Sequence, residues 1–132
     1  MSNASKFIDG KIEDKLLNLH TAYIGKVISV KNNKATIQPL HKTKEKGCLA
    51  EKYPIIEDVP ICSYPMEIMQ PSTNGHEKTV IEGKLKIESG NVVLCIACER
   101  SIDDGLSGNV YTPLTKKRHS MNDSVIVAKI GG

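Results

Sequence analysis

The sequence has no tryptophan, a single phenylalanine and four tyrosines, so aromatics make up 4% of its 132 residues. A core built from it must be filled by branched aliphatics, and a strand-binding surface made of stacked aromatic platforms has little to draw on. Long apolar runs are also missing. No stretch approaches the roughly 20 residues with which a helix spans a bilayer. Met1-Ser2-Asn3-Ala4-Ser5-Lys6 lacks the continuous apolar segment of a secretion signal, so synthesis in the cytoplasm is the expectation. A glycine-rich phosphate loop, a nucleophile elbow and a zinc-protease motif are absent too, which makes an enzyme the weakest functional class.

What is present fits one unit. A chain of this length is close to the usual size of a single domain and buries roughly two-thirds of its unfolded surface, enough for a core without metals or disulfides. The net charge of +3 is too small to imply a polyanion partner by itself. Its distribution is more informative. Residues 26–52 carry seven lysines against two glutamates, residues 53–104 carry four basic against nine acidic groups, and residues 105–132 carry four basic groups against one acid. Such sorting either neutralises itself on folding or offers patches to neighbours and to copies of the chain.

Hydrophobic spacing divides the chain at about residue 20. Over residues 5–20, Ile8, Ile12, Leu16 and Leu19 fall at offsets of four, four and three, one helical stripe, with Ser5 as the N-cap. Whether that stripe packs on its own domain or on another subunit is left open by the sequence. After it the period changes to two. Residues 23–30, with Ile24, Ile28 and Val30 at same-face spacing, and residues 35–40 read as a hairpin about Lys31-Asn32-Asn33-Lys34, with Pro39 marking a strand end. Residues 41–52 read as a polar loop and 54–61 as a third strand that Pro60 limits. Residues 63–75, with Pro65, Pro71 and Asn74-Gly75, read as a long irregular connection. Residues 79–87 read as a strand broken by Gly83, and the run 92–98, after a turn at 88–91, as a buried central strand. A helical turn at 120–124 and a last strand at 125–130 complete five or six strands and one helix without a βαβ rhythm, which predicts a small closed or partly closed β-barrel.

Each chemistry-bearing cluster has a structural reading. Cys95-Ile96-Ala97-Cys98 has C-x-x-C spacing, yet residues three apart on a strand point to opposite faces, and Ile-Ala between the thiols suits a core better than a zinc or redox site. With Cys48 and Cys62, all four cysteines are expected as reduced thiols. His20, His41, His76 and His119 are too dispersed for metal-ligand spacing; His20 is expected as a cationic ring at the helix C-terminus. Asp103-Asp104 beyond Arg100 reads as a capped short helix with a solvent-side ion pair. Lys116-Lys117-Arg118 and the lysine-rich block suit a nucleic-acid surface in charge, but Tyr23, Tyr53, Tyr64 and Tyr111 are scattered among other segments. No catalytic, cofactor or metal residues are assigned.

The chain strings together Leu19-His20-Thr21-Ala22-Tyr23-Ile24-Gly25-Lys26-Val27, Ala35-Thr36-Ile37-Gln38-Pro39, Ile56-Glu57-Asp58-Val59-Pro60-Ile61, Gly90-Asn91-Val92-Val93-Leu94, Glu99-Arg100-Ser101-Ile102-Asp103 and Arg118-His119-Ser120-Met121-Asn122-Asp123-Ser124. In order and spacing this resembles the N-terminal OB-fold domain of phage baseplate spike proteins, the central cell-puncturing component of contractile tails. The resemblance implies a mainly β fold: a small five-stranded OB-type Greek-key barrel over residues 21–132, behind an N-terminal helical extension, residues 1–20. It also implies a structural homotrimer without catalytic residues, in the baseplate of a phage or tail-like bacteriocin. Baseplate hub proteins and spike-tip or wedge proteins would be its partners, with contact to the target-cell envelope during puncture and no nucleic acid. Ile8, Ile12, Leu16 and Leu19 are the candidate partner or subunit surface. The runner-up is a single-stranded nucleic-acid-binding OB module.

The chain departs from that family at Asn91, where aspartate is usual, and at Gly105-Leu106, where an aromatic often follows the corner. Relatives continue into a β-helical needle for which 132 residues leave no room. Either a separate protein supplies the tip, or the sequence is the base domain of a longer chain, or the spike ends here.

Overall fold

The computed structural model describes residues 2–17, 19–43, 49–72 and 75–131. Helix α1 (Asn3–Leu17) begins three residues earlier than a Ser5 cap would place it, because Ser2 caps it instead: the Ser5 N–H donates to Ser2 Oγ at 3.2 Å. It also ends before His20. The Leu19 N–H donates to the Leu16 carbonyl at 3.1 Å, a tightened last turn that takes Leu19 off the helix.

Strands β1 (Ala22–Lys31) and β2 (Lys34–Pro39) form the expected hairpin, with Asn32 and Asn33 at φ 52° and 61°, the left-handed pair that a two-residue turn of matching twist requires. The segment expected as a loop contains a small ladder, β3 (Lys42–Thr43) with β4 (Glu51–Lys52), while Gly47 and Cys48 lie outside the described residues. Next come β5 (Ile56–Pro60), β6 (Ser63–Ser72), β7 (Gly75–Lys84), β8 (Val92–Ala97) and, after a 3₁₀ turn at Met121–Asp123, β9 (Ser124–Ile130). The largest correction falls at β6 and β7. The stretch expected to be irregular pairs over ten residue positions with the following segment as an antiparallel hairpin, whose tip at Thr73 and Asn74 lies outside the described residues. Pro65 and Pro71 are tolerated because each strand of a two-stranded ribbon has an open edge.

Five strands make one antiparallel sheet in the order β5-β2-β1-β8-β9. It curls into a half-barrel, and the chain just beyond β5 meets the opposite edge: Ile61 and Ile126 form a parallel bridge, and the Cys62 N–H donates to the Ile126 carbonyl at 3.0 Å. Bulges supply the curvature. The registers shift between Val27 and Ser29 in β1, between Ala35 and Ile37 opposite β5, and between Leu94 and Cys95 opposite β9. In β5 the bulge holds Asp58 at φ 55°, a region that aspartate enters more readily than most residues. That extra residue turns Ile56 and Val59, three apart, onto the same buried side.

The core lies inside this curl. Val27, Ile37, Val59, Val93, Cys95 and Ile126 are its most enclosed side chains, with Tyr23 and Met121 toward one end. On β1 the inward residues are Tyr23, Gly25 and Val27, so the Ile24–Ile28–Val30 face that announced the strand points away from the core. The Tyr23 hydroxyl donates to Ser124 Oγ at 2.7 Å and Ser124 donates to the Met121 carbonyl at 2.6 Å, so the buried hydroxyls are satisfied. At Gly25 a Cβ would lie 2.3 Å from Ile37 Cγ2. Gly25→Ala is therefore expected to cost about 1–3 kcal/mol of stability, read as a lower urea midpoint with an unchanged denaturant slope, the effect of overpacking a filled core.

Candidate interaction surfaces

Among the described residues, three groups of apolar side chains on regular elements stand outside the core. The first is the α1 stripe. Ile8, Ile12 and Leu16 remain exposed, as does Phe7 beside them at 66%. A 15-residue helix is marginal in water, and an amphipathic helix normally derives its stability from covering its apolar face. Lys11 reaches over the Phe7 ring at 5.5 Å, which covers only part of it. Leu19 is exposed but belongs to the segment that leads into β1.

The second surface is the β6–β7 ribbon, which the sequence reading missed. Residues opposite one another in an antiparallel pair share a face. Tyr64, Met66 and Ile68 therefore lie beside Gly83, Ile81 and Thr79, an apolar face, whereas Glu67 and Met69 lie beside Val80 and Lys78. On that second face Lys78 pairs with Glu67 at 3.6 Å, an exposed contact of small energetic weight. At about 3.3 Å per residue, ten-residue strands extend far along their axis, and a lone two-stranded hairpin is marginal in water. The ribbon is fastened at its root. The Tyr64 hydroxyl donates to the Val127 carbonyl, which the β9 bulge leaves outside the ladder. Alternation on both sides of Asn74-Gly75 was the legible signal; the two prolines concealed it.

The third is the outer side of the curled sheet. Ile24, Leu40 and Ile96 are exposed there, and Ile24 sits opposite Leu94 across the β1–β8 ladder.

The reactive groups are dispersed or enclosed. Cys95 is buried on β8 while Cys98 lies past the strand, half-buried, its N–H donating to the Asp123 carbonyl at 2.8 Å. Burial first, then Asp123 and Cys62, raises the Cys98 pKa. Among the described residues no three of His, Cys, Asp and Glu gather as metal ligands. Arg100 does not reach Asp103 or Asp104; its guanidinium donates to the Thr115 carbonyl at 3.2 Å, and Asp104 caps the short turn Gly105–Ser107 without a side-chain hydrogen bond. His20 corrects its expected role as a cationic cap. It sits edge-on to Tyr53 at 5.5 Å, with His41 4.9 Å from the same tyrosine ring, and burial, followed by the neighbouring His41, lowers its pKa. His76 is exposed on β7, and His119, at φ 49°, bonds its backbone to Glu99 and His20.

No protein-family model and no curated protein matches the chain. No described helix is long and apolar enough to cross a membrane.

One titration follows from the core. Burial pushes the Cys95 thiol from 9.0 up to about 11, and burial also raises the Tyr23 hydroxyl. Both groups stay neutral in the fold where the unfolded chain ionises, so their contribution is complete below about pH 9 and drains away as the pH rises toward about 11. Urea midpoints measured across that range are expected to fall, and to fall less in Cys95→Ala. Thiol labelling of the native protein below pH 9 is expected to spare Cys95 and to reach it on unfolding.

Proposed function

We propose that this chain is a structural, non-enzymatic baseplate component of a contractile phage tail or tail-like bacteriocin. It forms the trimeric base of the central spike, made in the bacterial cytoplasm and joined to hub and spike-tip or wedge proteins. The succession of motifs from Leu19 to Ser124 supports the family. Strand order supports the finer architecture. In an OB-type Greek-key barrel the first strand is shared by both halves and the third and fifth strands run parallel where they meet. Here β1 lies between β2 and β8, and Ile61 and Ile126 bridge in parallel.

The observation that carries the assembly reading is the apolar surface left in water outside the barrel: the α1 stripe, the apolar ribbon face and the outer sheet. Patches of this kind mark interaction sites. Heterologous contacts between identical copies close a ring when the rotation allows, and a ring gives a spike base its three-fold axis. A strand-binding module is less well supported, since Tyr23 is buried in the core and Tyr64 stands at the ribbon root on a different surface.

Native mass spectrometry is expected to give a species of three times 14.5 kDa. Ile12→Asp with Leu16→Asp is expected to weaken that species while the β-sheet circular dichroism is retained, because both side chains lie outside the core. A chain that stays monomeric at high concentration and is absent from purified tail particles would overturn the reading.

A further inference from the structure

Beside the half-barrel lies a cavity of about 720 Å³, within the range of small-ligand clefts. Its rim carries four cations from two distant parts of the chain, Lys15 at the end of α1 and Lys116, Lys117 and Arg118 before the last strand. Among the described residues no carboxylate lines it. The two ion pairs among the described residues lie elsewhere, at Lys78–Glu67 and Lys86–Glu88, so none of the four rim cations is ion-paired to another described residue.

The wall behind the rim is a ring platform. Tyr53 packs against both His20, edge-on at 5.5 Å, and His41, tilted at 4.9 Å, in a three-ring cluster, and Gln38 Nε2 donates to the Tyr53 carbonyl at 2.9 Å, which fixes the backbone beneath the ring. Leu19, Pro54, Ile56 and Met121 make the remaining lining apolar, and Ser120 and Asn122 add hydroxyl and amide groups. A simple inorganic anion would leave the ring and the apolar lining unused. A purely apolar ligand would leave four charges unanswered.

We infer that this cavity binds a small phosphorylated ligand with a planar body, of the nucleoside diphosphate class. The phosphates lie among Lys116, Lys117, Arg118 and Lys15, where the guanidinium offers a bidentate fork and the ammonium groups point charges. The planar body rests on Tyr53, and Ser120 and Asn122 meet its polar edge.

Calorimetric titration of the full chain with ADP tests this, with pyrophosphate, hexaglutamate and a short oligothymidylate as comparison probes. ADP is expected to saturate one site per chain and to bind more tightly than pyrophosphate by about tenfold, the lower part of the range for base–aromatic stacking. Tyr53→Ala should erase that difference, and Tyr53→Phe should keep it and guard against a folding defect. Lys116→Glu with Arg118→Glu, both exposed positions, should lose ADP binding by more than about tenfold. Absence of ADP saturation at millimolar concentration overturns the inference. So does pyrophosphate binding equal to that of ADP, which would leave an anion rim alone. Tighter binding of hexaglutamate would reassign the cavity to an acidic protein segment, and tighter binding of the oligothymidylate to a nucleic-acid strand; either result overturns the small-ligand assignment.

Discussion

Strand β1 is hydrogen-bonded along both edges, and Gly25 at its centre allows Ile37 and Cys95 to close over one core from opposite sides. The rest of the fold depends on this close approach. With a Cβ there, the β2 side of the sheet would have to stand away, and the core beneath it would open. Two ladders with different partners, to β2 and to β8, thus become one curled surface. The parallel contact of Ile61 with Ile126 is the consequence at the far edges.

Curvature leaves carbonyls without ladder partners, and side chains take them up. In β1 the Ile28 carbonyl, freed at the bulge, accepts from the Ser89 hydroxyl at 2.7 Å, which ties the turn before β8 to the hairpin. In β9 the Val127 carbonyl accepts from Tyr64, which ties the ribbon to the curled sheet. Asn33 works similarly at the turn, its amide donating to the Ile61 carbonyl at 3.4 Å and its own carbonyl accepting from the Ile61 N–H at 3.3 Å. Irregularities that bend the sheet therefore become attachment points for the elements outside it.

Those outer elements divide the physical work. The half-barrel encloses its own core, whereas α1 and the ribbon present apolar faces that their own contacts leave in water. Charge follows the same division. The basic residues 116–118 flank a cavity with no acid among its described lining residues, while Glu67 and Glu77 lie on the ribbon.

Period-two alternation and β-branched runs were sufficient to place β1, β2, β5, β8 and β9 as strands, because successive side chains on a strand point to opposite faces. The burial of Cys95 was legible in the apolar run around it, and α1 in the helical spacing of Ile8, Ile12 and Leu16. The face of β1 was not, since Ile24 and Ile28 are as apolar as the residues beneath, and only packing against β2 and β8 chose Tyr23, Gly25 and Val27 for the inside. The β6–β7 ribbon was hidden by prolines that break a central strand but fit an open edge. The ring platform joins His20, His41 and Tyr53, and the basic rim joins Lys15 to Lys116, Lys117 and Arg118. Local sequence determines which segments become strands because alternation is a nearest-neighbour property. Which surfaces meet depends on how the sheet curls, and that is settled by contacts between residues far apart in the chain.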